Sequence, residues 1–434
     1  MKKSSRKIIR VCAACITALA FSACGQDKMD KNLLETKKND RKIVNLYSPM
    51  EKSNPEAKNA ARTAFEETVT LAEERLDVTM EFHSYTAENY KEKTYDDVAL
   101  ERARNGMDDL YLLNPDTIQI LGSEERLLDL SDLSCAGNLR EVVKTANTVN
   151  GKLVAIPQEV VAYGLFVNQD MFDQYGLALP ETPEELLECC RVFQENGIKT
   201  PIGANRWWLE TIVFAQAYAD LYNGGNTEAE IAALNKGERK YSDYMRPAFM
   251  YLKELMDRGY IDAKTALVSE AIEAEGPDFR AQKTPIVMAY WSAANADTAY
   301  GKVDFHMQVI GFPSSRGQMP VVPVTGFGVG ADAEHLEDAK DILEVILSDE
   351  ALLKYTQVNK VISPSKNVEV DCIPALEPLN NRIKENVYVL GSNAGMKVEQ
   401  WGNTCRIVRK LLGGATVEEC MAEFDRLQEE SLKE

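Results

Sequence analysis

The chain has 434 residues, 45% of them hydrophobic, with 49 Lys and Arg against 68 Asp and Glu, a formal net charge of −19. So acidic a chain is a poor partner for nucleic acid or an anionic bilayer surface, where affinity comes from cationic side chains. Its length is enough for two lobes with their own cores, so it does not depend on disulfides to fold.

The first ten residues, MKKSSRKIIR, hold five Lys and Arg and no acid; the apolar VCAACITALA and the small-residue site FSAC follow. The apolar stretch is far shorter than the ~20 residues a bilayer-spanning helix needs, so residues 1–23 read as an export signal. With Ser22 and Ala23 before Cys24, the site resembles a bacterial lipoprotein signal, although Phe21 departs from the usual aliphatic residue. Cys24 is therefore the expected lipidation site, carrying chains such as palmitate that tether the protein without spanning the membrane. Ordinary secretory cleavage is the alternative. Loss of residues 1–23 removes five positive charges and takes the net charge from −19 to −24. Residues 24–40 are polar and read as a flexible tether.

Beyond the tether, helix-period and strand-like runs alternate, which predicts an α/β fold. KIVNLYS is the first predicted strand, residues 56–76 a helix, and VTMEFHSY and DDLYLLN the next strands. TPEELLECCRVFQENG carries a full set of helix signals: Thr182 as N-cap, Pro183 in the first turn, Glu185 three residues after the cap, and Gly197 past the end. Cys189 and Cys190 within it read as small buried residues. KTPIGAN, PIVMAYWS, HMQVIGFPS and VVPVTGFGVG are further predicted strands. Two helices follow over about 335–358, and TVEECMAEFDRLQEE closes the chain with a second Thr-x-x-Glu cap.

Catalytic chemistry has no visible carrier. The three histidines, His83, His306 and His335, lie in separate segments without ligand-like spacing, and no HExxH, GxSxG or P-loop pattern occurs. GFGVG at 326–330 reads as a closely packed strand, because no helix opens directly after it to hold a phosphate. Two carboxylates could in principle make a glycosidase, but nothing singles out a pair among 68 acids. Neither a metal, a cofactor nor an enzymatic activity is expected.

Aromatic and polar residues do gather where strands end: Tyr47, Ser48 and Glu51 after the first strand, Asn114 and Asp116 after LYLL, Arg206-Trp207-Trp208 after KTPIGA, and Trp291 at the end of PIVMAYWS. In open α/β sheets, ligands bind beyond the carboxyl ends of the strands. A ligand with C–H faces and many hydroxyls needs flat aromatic surfaces and paired hydrogen-bonding side chains, a description that fits sugars.

The segment NGKLVAIPQEVVAYGLFVNQDMFDQYGLALPETPEELLECCRVFQENGIKTPI resembles the extracellular solute-binding proteins of ABC importers. ERLLDLSDL upstream, IGFPSS, TGFGVGADAEHLEDAKDILEVILSDEALLKY and EQWGNTCRIVRKLLGGATVEECMAEFDRL follow the same pattern in order. The pattern is that of the carbohydrate-binding branch that includes maltose-binding protein. The resemblance implies a two-lobe type II binding-protein fold with a central cleft. Lobe 1 would span 41–158 and 326–362, lobe 2 would span 162–322 and 366–434, and hinges would fall near 158–162, 321–326 and 360–366. It also implies a monomer that binds carbohydrate and docks on membrane permease subunits.

The resemblance places Trp207, Trp208, Trp291 and Trp401 as candidate stacking surfaces, with Asn114, Asp116 and the Tyr47–Glu51 loop as first-lobe contacts. Each has a structural alternative: core packing for Trp207, Trp208, Trp291 and Tyr47, anchoring of the last helices for Trp401, and helix capping for Asn114 and Asp116. Tyr163 could belong to the hinge core or the cleft. Arg206 could pair with a surface acid or hold a ligand carboxylate. Where sugar-binding relatives often place an acid, this chain has Val161; Glu159, two residues earlier, is the substitute candidate. The same fold binding a glycerol-phosphate diester, a polyamine or an acidic sugar remains an alternative.

Overall fold

The computed structural model describes residues 41–49, 60–85, 93–269, 274–294, 300, 302–391 and 395–433. Cys24, the tether and Glu51 lie outside the described residues.

Two β-sheets organise the chain. The first has the order Gly326–Val329, Leu110–Leu113, Lys42–Ser48, Val78–Ser84. Its three N-terminal strands are parallel, and Gly326–Val329 joins antiparallel. Parallel strands are covered on both faces, and LYS at the end of the first strand is accordingly fully buried. The second sheet has the order Val389–Leu390, Val321–Val322, Tyr163–Asn168, Ile286–Tyr290, Ile202–Gly203, with Met307–Ile310 also paired to Tyr163–Asn168.

Helices cover both sheets. Ala60–Leu76 packs against Leu336–Ile346 and Asp349–Asn359 beside the first sheet. In the second, Leu209–Asn223 packs against Tyr241–Asp257, which in turn meets Val417–Ser431. Leu209–Asn223 is buried on nearly every side, as its apolar residues require. Local sequence signals set several helix starts: Thr182 and Thr416 each accept from the backbone N–H three residues on, and Glu185 and Glu419 reach back to complete the boxes. Cys189 and Cys190 are buried in their helix.

The predicted single strand over 321–330 is two strands in two different sheets. Val321–Val322 belongs to the second and Gly326–Val329 to the first. Pro323 between them has no N–H to continue a ladder, and the chain crosses there. Two further segments run beside one another where the halves meet: Val160 N–H donates to Ile362 O at 2.8 Å, and Ile362 N–H returns to Val160 O at 3.3 Å. The glycines of GFGVG serve packing. A Cβ on Gly326 would stand 3.0 Å from Ala155 Cβ, and one on Gly328 3.1 Å from both Leu127 Cδ2 and Val154 O. KTPIGAN forms strand only at Ile202–Gly203.

Candidate ligand-binding cleft

A cavity of about 440 Å³ opens where the two halves face each other. The first half contributes the start of helix Tyr95–Arg104, through Thr94, Asp96 and Asp97, and the start of helix Pro115–Ser123, through Asn114, Asp116 and Thr117. The second half contributes Tyr163, Tyr290, Gly391, Glu399 and Trp401, while Pro323 and Thr325 come from a crossing.

Three aromatic rings form one wall. Tyr163 and Tyr290 are paired in register across antiparallel strands, with ring centroids 4.8 Å apart. Trp401 lies 5.5 Å from Tyr163 and 5.4 Å from Phe214 behind it. Gly391 makes room for the indole: a Cβ there would stand 2.5 Å from Trp401 Cζ3.

Polar groups line the opposite wall. Asn114 Nδ2 donates to both oxygens of Asp96, at 3.1 and 3.2 Å, and Thr117 Oγ1 donates to Asp96 Oδ1 at 2.6 Å. Asp97 is held by the Thr94 capping box. Asp116 reaches across the cleft, where its Oδ2 accepts the Trp401 backbone N–H at 3.0 Å. That N–H opens helix Trp401–Leu412, an end that favours negative charge. Asp116 Oδ1 is covered and has no partner among the described residues. Burial, then the nearby Glu399 carboxylate, push the Asp116 acid up to about 7, against the Trp401 and Gln400 N–H groups that hold it down. A second contact joins the halves beside it: Gly395 N–H donates to Gln119 Oε1 at 2.9 Å.

Residues 55–352 match the family model of the bacterial extracellular solute-binding proteins. The chain belongs to that family. Among solved structures, a chitin oligosaccharide binding protein superposes with a TM-score of 0.74 at 18% identity, over 91% of this chain and 100% of that one. A family 1 extracellular solute-binding protein from Bifidobacterium longum subsp. infantis gives 0.71 at 18%, over 90% and 99%. The solute-binding protein RafE in complex with raffinose gives 0.67 at 16%, over 90% and 99%. At these identities the likeness is one of fold: two lobes around a cleft.

In this solute-binding protein, Asn114, Asp116, Tyr163 and Trp401 are the candidates that line the cavity. Others lie elsewhere. Tyr47 is fully buried in the first half, stacked on Tyr95 at 4.9 Å with its hydroxyl donating to Tyr95 O at 3.2 Å; Ser48 beside it is also buried. The parallel strand ends inside its lobe, so Tyr47 is core. Trp291 is likewise fully buried and not a cleft surface. Its indole N–H donates to Lys360 O at 2.8 Å and its backbone N–H to Ala162 O at 2.9 Å, so it ties the end of helix Asp349–Asn359 to the segment before Tyr163. At that strand end it is Tyr290, one residue earlier, that lines the cavity.

Glu159 sits on the first crossing and accepts from Tyr355 Oη at 3.2 Å; burial raises its carboxyl to about 6. Neither Trp207 nor Trp208 is in the cavity wall. Trp208 is buried edge-on behind Tyr163, with centroids 5.9 Å apart. Trp207 is held between two guanidiniums, Arg206 at 4.8 Å and Arg409 at 4.9 Å from its ring. Arg206 thus covers an indole instead of reaching the cavity.

The residues missed from sequence are Asp96, Thr117, Tyr290 and Glu399 in the wall, and Glu210 beneath it. The Thr94-x-x-Asp97 cap is a sequence signal for the helix start that carries Asp96. Glu210 is completely buried in the apolar helix after Trp208, and neither carboxyl oxygen has a hydrogen-bonding nitrogen or oxygen partner among the described residues. Burial pushes it up to about 8, with its own backbone N–H, the Cys405 thiol and Arg409 pulling the other way.

Proposed function

We propose that this protein captures a sugar or short oligosaccharide outside the cell and delivers it to an ABC permease, tethered by lipid on Cys24. The observation that carries this reading is the pairing of a three-ring aromatic wall, Tyr163, Tyr290 and Trp401, with the hydrogen-bonding wall of Asn114, Asp96, Asp116 and Thr117. A pyranose has both an apolar face for the rings and hydroxyls for the polar wall. The cavity volume falls within the roughly 300–1,000 Å³ usual for small-molecule sites. Family membership supports a transport role, and solved structures of like fold include proteins described with raffinose, stachyose and chitin oligosaccharide.

Lobe 1 is proposed to span 41–158 and 326–362, and lobe 2 162–322 and 366–434. Closure on the solute is a hinge motion about the three crossings, with contacts from both lobes. Specificity comes from desolvated polar groups, since a solute lacking the expected hydroxyls leaves them unpaired. No bond in the solute is made or broken.

A thermal-shift screen against mono- and oligosaccharides, uronates and polyamines tests the reading, because a ligand bound only by the folded state raises Tm. A carbohydrate must raise it and be recovered chemically unchanged. If only a non-sugar solute does so, the substrate class is wrong; if the sugar is cleaved, the protein is an enzyme.

A further inference from the structure

We infer that one face of helix Pro115–Ser123 is a closure latch. Its Asp116 and Gln119 take hydrogen bonds from residues 395–401 of the other half, hold the two walls of the cleft together at one end, and set the position of Trp401. The inference rests on the reading above only in that a solute is clamped between the halves. Two hydrogen bonds cross there: the Trp401 backbone N–H donates to Asp116 Oδ2 at 3.0 Å, and the Gly395 backbone N–H donates to Gln119 Oε1 at 2.9 Å. Asp116 and Gln119 are three residues apart on one helix and so share a face. Both donors come from one short segment.

Each side is fixed within its own half, as a latch requires. On the first, Gln119 Nε2 donates to Ser123 Oγ, one turn on, at 3.2 Å, which turns Oε1 toward Gly395. On the second, Asn235 grips the segment at two points: its Nδ2 donates to Gly395 O at 2.6 Å and its Oδ1 accepts the Lys397 N–H at 2.9 Å. Met396 and Val398 are buried in the core of the second half, and the Tyr218 hydroxyl donates to Gln400 Oε1. Gly395 has φ +91°, a left-handed conformation that favours glycine, so the turn that aims its N–H at Gln119 has a cause in the sequence.

The helix that carries the stacking ring depends on the other half for its start. Trp401–Leu412 has no side-chain cap of its own. The first N–H groups of a helix find no partner within it, so the Trp401 N–H is satisfied by Asp116 when the halves meet and loses that acceptor when they part. A carboxylate also suits the positive end of a helix. Gln119 lies outside the cavity wall and Asp116 Oδ1 is covered, so the latch is made of protein groups and its contribution to closure is not conditional on a solute. A net hydrogen bond shifts an equilibrium roughly two- to tenfold. Two of them bias the halves toward closure without locking them, and the solute adds its contacts to a clamp already favoured. In this role Asp116 and Gln119 are positioning residues that act through Trp401.

The test uses the full chain, denatured and refolded to strip co-purified solute, with its tryptophans isotope-labelled for NMR. Hydrogen exchange at the Trp401 amide, identified by its loss in Trp401→Phe, reads the latch, and X-ray scattering on the same samples reads closure. Gln119→Ala removes only the Gly395 bond, yet it should speed exchange at Trp401 roughly two- to tenfold and enlarge the radius of gyration. Asp116→Ala should do both more strongly, while Asp116→Asn, which keeps an acceptor oxygen, should stay near the wild type. Unchanged exchange and size in Gln119→Ala, with the variant folded by circular dichroism, overturn the inference. So does faster exchange at an unchanged radius of gyration, which marks a local contact. If Asp116→Ala does not fold, the other two variants decide: Asp116→Asn as expanded as Gln119→Ala also overturns the latch. Every readout is taken without saccharide, so the sugar reading stands or falls separately in the thermal-shift screen.

Discussion

Glu210→Gln should make this protein more stable at alkaline pH, although it alters a completely buried side chain. Glu210 follows Trp208 at the start of the apolar helix Leu209–Asn223, and its carboxyl oxygens have no nitrogen or oxygen partner among the described residues. Burial lifts its acid from the ordinary 4.5 to about 8. The folded chain therefore keeps a proton that the unfolded chain releases between those values. With more protons bound in the folded state, stability falls as pH rises: it is full below about 4.5 and is lost progressively up to about 8. At roughly 1.4 kcal/mol per pH unit, the loss amounts to about 3–5 kcal/mol. Glutamine mimics the protonated acid in shape and removes this slope. Urea denaturation followed by tryptophan fluorescence at pH 5 and pH 8.5 reads both proteins directly. The variant should be within about 1 kcal/mol of the wild type at pH 5 and several kcal/mol more stable at pH 8.5. Asp116 titrates by the same logic but is present in both chains, so the difference isolates Glu210. A variant that is no more stable than the wild type at pH 8.5 would refute the reasoning, because Glu210 would then be ionised and compensated.

Gly391→Ala places a methyl group 2.5 Å from Trp401 Cζ3 and must move the indole. Solute affinity should drop about tenfold or more by titration calorimetry, with a stability loss of roughly 1–3 kcal/mol from overpacking. Trp291→Ala, in contrast, should cost about 3–5 kcal/mol of stability by denaturation while each folded molecule still binds solute. Trp208→Ala should also cost stability in that range of about 3–5 kcal/mol. Trp207→Ala removes a ring held between two guanidiniums and should cost about 1–2 kcal/mol; if the order of these two is reversed, the packing assignment is wrong. Cys24→Ala should shift the protein from the membrane fraction to the soluble fraction on immunoblots, and continued membrane retention would exclude lipidation at that residue.

Much of the architecture is legible along the chain because its causes are local. The Thr182 and Thr416 caps announce their helices through backbone N–H groups that need an acceptor three residues away. The alternation of strands and helices implies sheets whose ends hold the ligand, and Asn114 and Asp116 are readable as cleft candidates on that ground, while Tyr163 and Trp401 are candidates only through the resemblance to solute-binding proteins. The choice between neighbours is not local. Tyr290 and Trp291 are adjacent and equally suited to stacking. The last residue of the strand faces the cleft, while the next enters a 3-10 turn and carries its indole to the end of helix Asp349–Asn359. Tyr47 likewise ends a strand, but that strand's tip is sealed by Tyr95 from a different helix.

Charge was least visible of all. Asp116 is one acid among 68 until folding brings it to Trp401 N–H and Glu399, some 285 positions further along. Composition and pattern by themselves determined an acidic α/β chain with aromatics at predicted strand ends. Only the tertiary structure decided which aromatics face the cavity and which carboxylates are left wanting a partner. Burial and electrostatic coupling depend on distances in space, and those arise from packing between segments that the order of residues leaves far apart.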